Sequence, residues 1–481
     1  MNGFSLKNNY PLTILCRSLG CRVNQEEINQ IKKDLIKAGF LPFASQNFPF
    51  INKYPDIIIL NTCVVTKKAE RETRKEIRHL KRIFPQSFLL ATGCAVEAQK
   101  KLGIKLPEAD LFIGNQDKEK IPEILAQKPS FTKAAKGYPS FAPQTSPPGR
   151  DKFSPPIKQM DMSIRRWVKI QDGCNQFCTF CIVPYLRNQL KSKPVTQIIR
   201  EIKKLEKEGI LEINLCGINL SLFGQDLKPK TDLVELLKNI LQKTNISRLS
   251  LSSLTPNLIN KKLINLYTND WRSGSKRLSF YFHIALQSGS KKILIKMNRP
   301  KTDLNKLKDL LQYIKQEIPQ FNLRADIIVG FPDETENDFQ ETLHYIEEVK
   351  IAFAHIFRYS PRPGTIAYKM TKNNQWQEIS EKIKKERSKK VSELVKKIRR
   401  EEAEKLVGKK LNCLIIGKKK NYWRGLTENF WEVKITCPQS PPPGGPKRCR
   451  QENQRKLPKK IIPIQITSYQ NEKLFGRYKN N

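Results

Sequence analysis

The chain has 481 residues, which corresponds to about three domains of ordinary size. Its 88 Lys and Arg against 46 Asp and Glu give a net charge of +42, which favours a polyanionic partner such as nucleic acid, although a lysine-rich bias alone gives the same charge. No apolar run reaches the roughly 18 residues of a membrane span and no signal peptide is visible, so we expect a cytoplasmic protein without a membrane partner. In that compartment the 11 cysteines are expected to be metal ligands or nucleophiles, not disulfides.

The first folded segment, residues 10–127, alternates apolar strands with charged helices, which predicts a parallel sheet. Cys21, Cys63 and Cys94 each follow one of its strands. Because parallel strands bring their carboxyl ends to one edge, where α/β folds bind ligands, we expect these thiols to converge. Three converging thiols without a fourth predict an iron–sulfur cluster with one open iron. The alternative is three ordinary buried cysteines.

Residues 128–160 are rich in Pro, Ser, Lys and Gly and predict a linker or flexible insertion. Residues 161–376 again alternate strand and helix, and the repeated units predict a parallel sheet, either open or closed as a barrel. A capping-box sequence at Thr335–Asp338 marks the start of one of its helices. The six predicted strands are Trp167–Gln171, Leu211–Leu215, Arg248–Ser252, Tyr281–Ala285, Leu323–Val329 and Ala354–Tyr359.

The strongest motif is the cysteine loop directly after the first of these six strands, with Cys174, Cys178 and Cys181 within eight residues. Thiolates are the usual ligands of a [4Fe–4S] cluster, and three on one tight loop hold three of its irons. The fourth iron then stays open to a substrate's amino and carboxylate groups. A zinc site is the alternative, but neither a second cysteine pair nor a histidine lies nearby in the sequence.

The C-terminal part combines a charged helix at 377–405 with short predicted strands over 406–481, interrupted by a Pro- and Gly-rich stretch at about 438–458. Residues 406–481 hold 12 Lys and 5 Arg against 4 Glu, interleaved with aromatic residues. Basic groups neutralise phosphates and aromatic rings stack on unpaired bases, although such rings also fill small barrel cores. The candidate RNA contacts are Lys418, Lys419, Lys420, Trp423 and Arg424.

Together these segments resemble the radical S-adenosylmethionine (SAM) methylthiotransferase family. The resemblance covers nearly the whole chain and rests on residues 19–25 (LGCRVNQ), 61–66 (NTCVVT), 92–94 (TGC), 173–185 (GCNQFCTFCIVPY), 287–290 (QSGS), 297–299 (MNR), 326–332 (DIIVGFP) and 359–365 (YSPRPGT). With 425–430 (GLTENF), the first motif is most similar to the branch that modifies threonylcarbamoyladenosine (t6A) in tRNA.

The resemblance implies an α/β protein with an N-terminal doubly wound parallel-sheet domain, a central partial (β/α)6 radical SAM barrel and a small C-terminal TRAM-like β-barrel. It implies a [4Fe–4S] cluster on Cys21, Cys63 and Cys94, and a second on Cys174, Cys178 and Cys181 that binds SAM and cleaves it to a radical. It also implies tRNA as partner, an electron donor such as flavodoxin or ferredoxin, and a sulfur donor. The implied SAM contacts are Phe180, Gly217, Asn219, Gln287, Ser288 and Gly330.

Two departures from the family pattern concern substrate positioning. Residues 188–193 (NQLKSK) replace the usual Gly and Arg-Ser-Arg, and Thr255 stands where an acid is common. Three alternatives stay open: modification of isopentenyladenosine in tRNA, modification of a ribosomal-protein aspartate, and a non-catalytic iron–sulfur protein that binds RNA.

Overall fold

The computed structural model describes residues 12–43, 54–127, 164–419, 422–436 and 461–478. The predicted linker at 128–160 and the predicted interruption at 438–458 lie outside these ranges, as does Lys420. Among the described helices, none combines the length and the apolar character that crossing a membrane requires.

The N-terminal part is a sheet of five parallel strands in the order β2-β1-β3-β4-β5. Helices α1 and α4 pack on one face and α2 on the other, so the predicted doubly wound arrangement is confirmed. All six residues of β3 are buried, as expected for a strand covered on both faces. The elements are β1 (Thr13–Ser18), α1 (Arg22–Lys37), β2 (Leu41–Pro42), β3 (Ile57–Thr62), α2 (Lys67–Ile83), β4 (Phe88–Gly93), α3 (Cys94–Leu102), β5 (Leu111–Ile113) and α4 (Ile121–Gln127).

The central part contains six parallel strands divided between the sheets β7-β6-β8-β9 and β10-β11-β12. Parallel bridges from Leu249 to Leu278 and from Leu254 to Ile284 join the two sheets into a partial barrel, which confirms the predicted (β/α)6 arrangement. The short β7 pairs antiparallel at the edge. The strands are β6 (Arg165–Asp172), β7 (Lys191–Ser192), β8 (Glu212–Gly217), β9 (Arg248–Leu251), β10 (Tyr281–Gln287), β11 (Asn322–Val329) and β12 (Phe353–Arg358).

Eight α-helices accompany these strands within the described part of this region. The predicted capping box is present, because Thr335 and Asp338 exchange side-chain and backbone hydrogen bonds at the start of α11. The helices are α5 (Val183–Leu186), α6 (Val195–Lys207), α7 (Leu233–Lys243), α8 (Lys261–Arg272), α9 (Lys291–Lys296), α10 (Leu304–Glu317), α11 (Glu336–Glu348) and α12 (Ile366–Lys372).

Alternate residues of the barrel strands face opposite sides, as the two-residue period of a strand requires. The apolar set packs under the helices and includes Val168, Ile170, Ile213, Leu215, Leu249, Phe282, Ile284 and Ile327. The intervening residues face the inside and include Lys169, Gln171, Asn214, Ser250, His283 and Asp326. The barrel therefore encloses a polar interior suited to a polar ligand.

A small closed barrel of five strands, in the order β13-β14-β15-β17-β16, ends the described chain and fits the predicted TRAM-like domain. It lies against the amino ends of the central strands: Arg248 Nη1 donates to Leu426 O at 3.0 Å, and the Tyr281 and Phe430 rings stack 4.4 Å apart. Helix α13 (Glu381–Glu404) precedes this small barrel. The strands of the barrel are β13 (Lys410–Lys419), β14 (Tyr422–Thr427), β15 (Glu432–Thr436), β16 (Ile461–Gln470) and β17 (Lys473–Arg477).

Candidate functional site

Cys21, Cys63 and Cys94 lie at the carboxyl ends of the neighbouring strands β1, β3 and β4. The strand order reverses between β1 and β3, and such a switch point is where doubly wound sheets bind ligands. Burial raises the pKa of Cys63 to about 12, with a further contribution from the negative charges of Cys94 and Cys21. A Cβ added to Gly20 would lie 2.6 Å from Cys63 Sγ. The three thiols therefore lie near enough to one another, at this edge of the sheet, for their charges to interact.

Asn24 holds two of these loops in place. Its buried amide donates to Leu19 O at 3.0 Å and to Thr62 O at 2.9 Å, so one side chain fixes the chain just before Cys21 and just before Cys63. Thr73 adds a second anchor, because its hydroxyl donates to Cys63 O at 2.7 Å. Hydrogen-bonded supports of this kind fix the orientation of metal ligands.

Cys174, Cys178 and Cys181 lie on the loop that follows β6. The loop is held by backbone hydrogen bonds from Cys174 N to Arg187 O at 2.9 Å and from Thr179 N to Met297 O at 3.1 Å. Burial raises the pKa of Cys181 to about 12, and the charges of Cys178 and Cys174 raise it further. Burial therefore disfavours the thiolate form of Cys181 until a bound metal removes the proton.

Three predicted SAM contacts lie at the ends of barrel strands, and one of them contacts this loop. Asn219 Nδ2 is 3.6 Å from Cys174 Sγ, and Asn219 N donates to Gln171 Oε1 at 2.9 Å. Gly217 lies so close to Gln171 that an added Cβ would be 3.0 Å from its Cβ. Gln287 ends β10 with a positive φ of 74°. All three are at the carboxyl ends of barrel strands, the side on which such barrels bind ligands.

The other three predicted SAM contacts have partners within the protein. Ser288 is fully buried, and its hydroxyl accepts from Ser290 N and lies 3.2 Å from Thr342 Oγ1. Phe180 packs against an apolar cluster that contains Met297 and Phe331. We expected Gly330 to allow a cofactor to approach, but its close neighbour is Lys384, whose Cγ would lie 2.3 Å from an added Cβ.

Comparison with known proteins agrees with this geometry. The family described as "Radical SAM superfamily" matches residues 168–346, and "Uncharacterized protein family UPF0004" matches residues 13–114. The chain is 32% identical to the threonylcarbamoyladenosine tRNA methylthiotransferase of Aquifex aeolicus, over 88% of this chain and 96% of that protein. The chain belongs to the radical SAM methylthiotransferase family.

Two further proteins are similar to this methylthiotransferase. The tRNA-2-methylthio-N(6)-dimethylallyladenosine synthase of Pelotomaculum thermopropionicum is 31% identical over 83% of this chain and 86% of that protein. The solved radical S-adenosylmethionine methyltransferase TsrM from Kitasatospora setae is 12% identical, covers 76% of this chain and 78% of its own, and has a TM-score of 0.47.

The methylthiotransferase uses SAM and two [4Fe–4S] clusters, and its donor sets fit them. Each pocket offers three free thiols, and three thiolates leave one iron of each cluster open. Arg299 lies beside the cysteines of the loop after β6. Burial lowers the pKa of Arg299, and the negative charges of Cys178 and Cys181 partly offset this effect. This arginine supplies positive charge next to ligands that become anionic when they bind metal.

A group of residues that the sequence analysis missed lies on the inner face of the barrel of this methylthiotransferase. Asp326 Oδ1 accepts from His283 Nε2 at 2.8 Å and from His355 Nδ1 at 3.1 Å. Burial acts to raise the pKa of Asp326, but the two histidine hydrogen bonds outweigh it and hold the pKa below its usual value. The sequence signal for this group was the alternation of inward and outward side chains along β10, β11 and β12. That alternation places His283, Asp326 and His355 on the same face of the sheet.

The predicted RNA contacts of the methylthiotransferase have mixed surroundings. Arg424 Nη2 lies 3.2 Å from Glu432 Oε1, and Trp423 is partly buried against the core. Lys418 and Lys419 end β13. Among the neighbouring aromatic residues, Trp431 is buried in the core and Phe430 stacks on the central barrel, so both have structural roles.

Proposed function

We propose that this enzyme methylthiolates tRNA, at C2 of N6-threonylcarbamoyladenosine next to the anticodon. The named relative from Aquifex aeolicus acts on this nucleoside and matches the chain over most of its length. A net charge of +42 suits a tRNA partner. The enzyme would work in the cytoplasm with an electron donor, such as flavodoxin or ferredoxin, and a sulfur donor.

We assign the first cluster to Cys21, Cys63 and Cys94 and the second to Cys174, Cys178 and Cys181. Bound together, the second cluster and SAM supply the one-electron chemistry that an unreactive aromatic C–H bond requires. Gly217, Asn219 and Gln287 would orient SAM, and the contact of Asn219 with Cys174 supports this because it joins the two parts of the site.

The observation that carries the choice of substrate is the position of Arg22. It directly follows Cys21, and its guanidinium carbon lies 4.9 Å from the ring centroid of Trp167 on the inner face of β6. Its Nη1 donates to Gln25 Oε1 at 2.7 Å, and among the described residues it forms no ion pair with a carboxylate. Desolvation and the charge of Arg165 lower the pKa of Arg22, and the opposing effect of Cys216 does not outweigh them, so the described surroundings leave this cation poorly compensated.

A cation at this position complements a substrate that carries a carboxylate. The threonyl group of threonylcarbamoyladenosine ends in a carboxylate, which arginine binds with two parallel hydrogen bonds. The isopentenyl group is apolar and offers Arg22 no partner. Arg22 therefore favours the threonylcarbamoyl substrate, although relatives named for the dimethylallyl substrate match the chain almost as well.

Substitution of Arg22 tests this substrate choice. We expect Arg22→Gln to lower kcat/KM for tRNA bearing t6A by about 10- to 100-fold, because a hydrogen bond to a charged group contributes about 1.5–3 kcal/mol. Iron content and SAM cleavage without tRNA should not change. Steady-state assays with tRNA bearing t6A or isopentenyladenosine measure the effect.

The matched control is Arg17→Gln, which removes an arginine on β1 that pairs with Glu76. This variant should keep the activity of the parent enzyme. Equal rates of Arg22→Gln and parent enzyme on t6A would refute the role of Arg22. Activity of the parent enzyme on isopentenyladenosine alone would establish the second candidate function.

A further inference from the structure

Among the described residues, Arg187 alone forms hydrogen bonds with a cysteine of both triads, which are Cys21, Cys63 and Cys94 in the first and Cys174, Cys178 and Cys181 in the second. Its side-chain Nε donates to Cys94 Sγ at 3.3 Å, and its backbone carbonyl accepts from Cys174 N at 2.9 Å. The side chain is only 3% exposed. One buried residue therefore connects the ligand loop of the N-terminal sheet with that of the central barrel.

The remaining nitrogens of Arg187 are also used. Nη1 donates to Glu27 Oε1 at 2.7 Å and to Asp172 Oδ1 at 2.8 Å, while Nη2 donates to Glu27 Oε2 at 3.0 Å and to Asn24 Oδ1 at 3.2 Å. Asn24 is the residue that anchors the loops of Cys21 and Cys63. The planar guanidinium is thus fixed in orientation, with its Nε–H directed at Cys94.

The charge around Arg187 is not neutral. Lys118 pairs with Glu27, and Lys169 pairs with both Glu27 and Asp172, so three cations face two carboxylates. The excess positive charge lies next to Cys94. The potential of an iron–sulfur cluster depends on hydrogen bonds to its sulfurs and on nearby charge, and both stabilise the state that holds the additional electron.

We propose that Arg187 is a positioning residue that couples the two triads and raises the reduction potential of the cluster on Cys21, Cys63 and Cys94 through its hydrogen bond to Cys94. This inference rests on the ligands assigned under the proposed function. Arg187 belongs to the domain that holds the second cluster, and it would raise the reduction potential of the first cluster in the neighbouring domain.

The test measures the potential of the first cluster alone. The parent is the full chain with Cys174, Cys178 and Cys181 all replaced by alanine, reconstituted anaerobically and titrated with EPR detection. We expect Arg187→Met in this parent to shift the potential to a more negative value. Arg187→Lys keeps a charge but loses the fixed Nε–H, so it should shift the potential in the same direction by less.

Lys169→Met is the matched control, because it removes a cation of the same network that hydrogen-bonds to Glu27 and Asp172 and, within the described part of the chain, to no cysteine sulfur. It should shift the potential less than Arg187→Met does. Equal potentials in the parent and Arg187→Met, with about four irons in each, would overturn the proposal. If Arg187→Met does not hold the cluster, Arg187→Lys decides: a lower potential supports the proposal and an unchanged one overturns it.

Two further outcomes separate this inference from the proposed function. Loss of the cluster from both Arg187 variants, while Lys169→Met keeps it, would overturn the tuning role and leave Arg187 a purely structural residue. A parent that binds no iron would refute the assignment of Cys21, Cys63 and Cys94 themselves, and the proposal would fail with it.

Discussion

Cys63→Ala should abolish methylthiolation while SAM cleavage persists, and iron should fall from about eight to about four per chain, since each [4Fe–4S] cluster holds four irons. Cys63 is 5% exposed, and its pKa responds to the charges of Cys21 and Cys94, so its loss removes one of the three assigned ligands of the first cluster. The second triad is on a separate loop held by its own backbone hydrogen bonds. Iron analysis, SAM cleavage and product formation after anaerobic reconstitution measure the three effects.

Cys16→Ala is the control for this substitution. Cys16 lies within β1 and not after it, and burial raises its pKa to about 11. This variant should keep both clusters and full activity. If Cys63→Ala contains as much iron per chain as the parent enzyme, the assignment of two clusters is contradicted. If both proteins contain about four irons per chain, the enzyme holds a single cluster.

Gly173→Ala should abolish SAM cleavage and lower the iron content by about half, because each of the two clusters contributes four irons. Gly173 has a φ of +79°, and its added Cβ would lie 1.8 Å from the backbone oxygen of Gln189. Because backbone cannot yield as a flexible side chain does, the loop that carries Cys174 must move. Spectroscopy of the reconstituted protein measures the loss of the cluster, and detection of the SAM cleavage product measures the loss of SAM cleavage.

The control is Gly274→Ala, a glycine with nearly the same φ, +77°, and no atom within 4 Å of an added Cβ. It has only the strain of the left-handed backbone, about 1–2 kcal/mol, and should bind both clusters. The comparison separates backbone strain from the clash with Gln189. Unchanged SAM cleavage in Gly173→Ala would contradict the role given to this loop.

The features of the fold and the site that the sequence predicted depend on short-range patterns along the chain and on strand direction. All six predicted barrel strands are present, and so is the capping box at Thr335. The convergence of Cys21, Cys63 and Cys94 followed from one physical rule, because parallel strands bring their carboxyl ends together. Short-range patterns and strand direction were enough for these features.

The parts that were not predictable depend on contacts between distant segments. Arg187 meets Glu27 across 160 positions, and both read in the sequence as ordinary charged surface residues. The neighbour of Gly330 is Lys384 on α13, a fully buried lysine that composition alone assigns to the surface. Likewise the aromatic residues of the C-terminal segment suggested stacking on bases, but the ring of one of them, Phe430, stacks on Tyr281. Burial of charged and aromatic groups is decided by tertiary packing.

The most direct test of methylthiolation of t6A by this enzyme is nucleoside mass spectrometry of tRNA from a host that lacks both tRNA methylthiolation activities and expresses this chain. We expect that the 2-methylthio derivative of t6A appears, that isopentenyladenosine stays unmodified, and that Cys178→Ala restores neither product. A host in which only isopentenyladenosine gains the methylthio group, or in which neither nucleoside does, would contradict it.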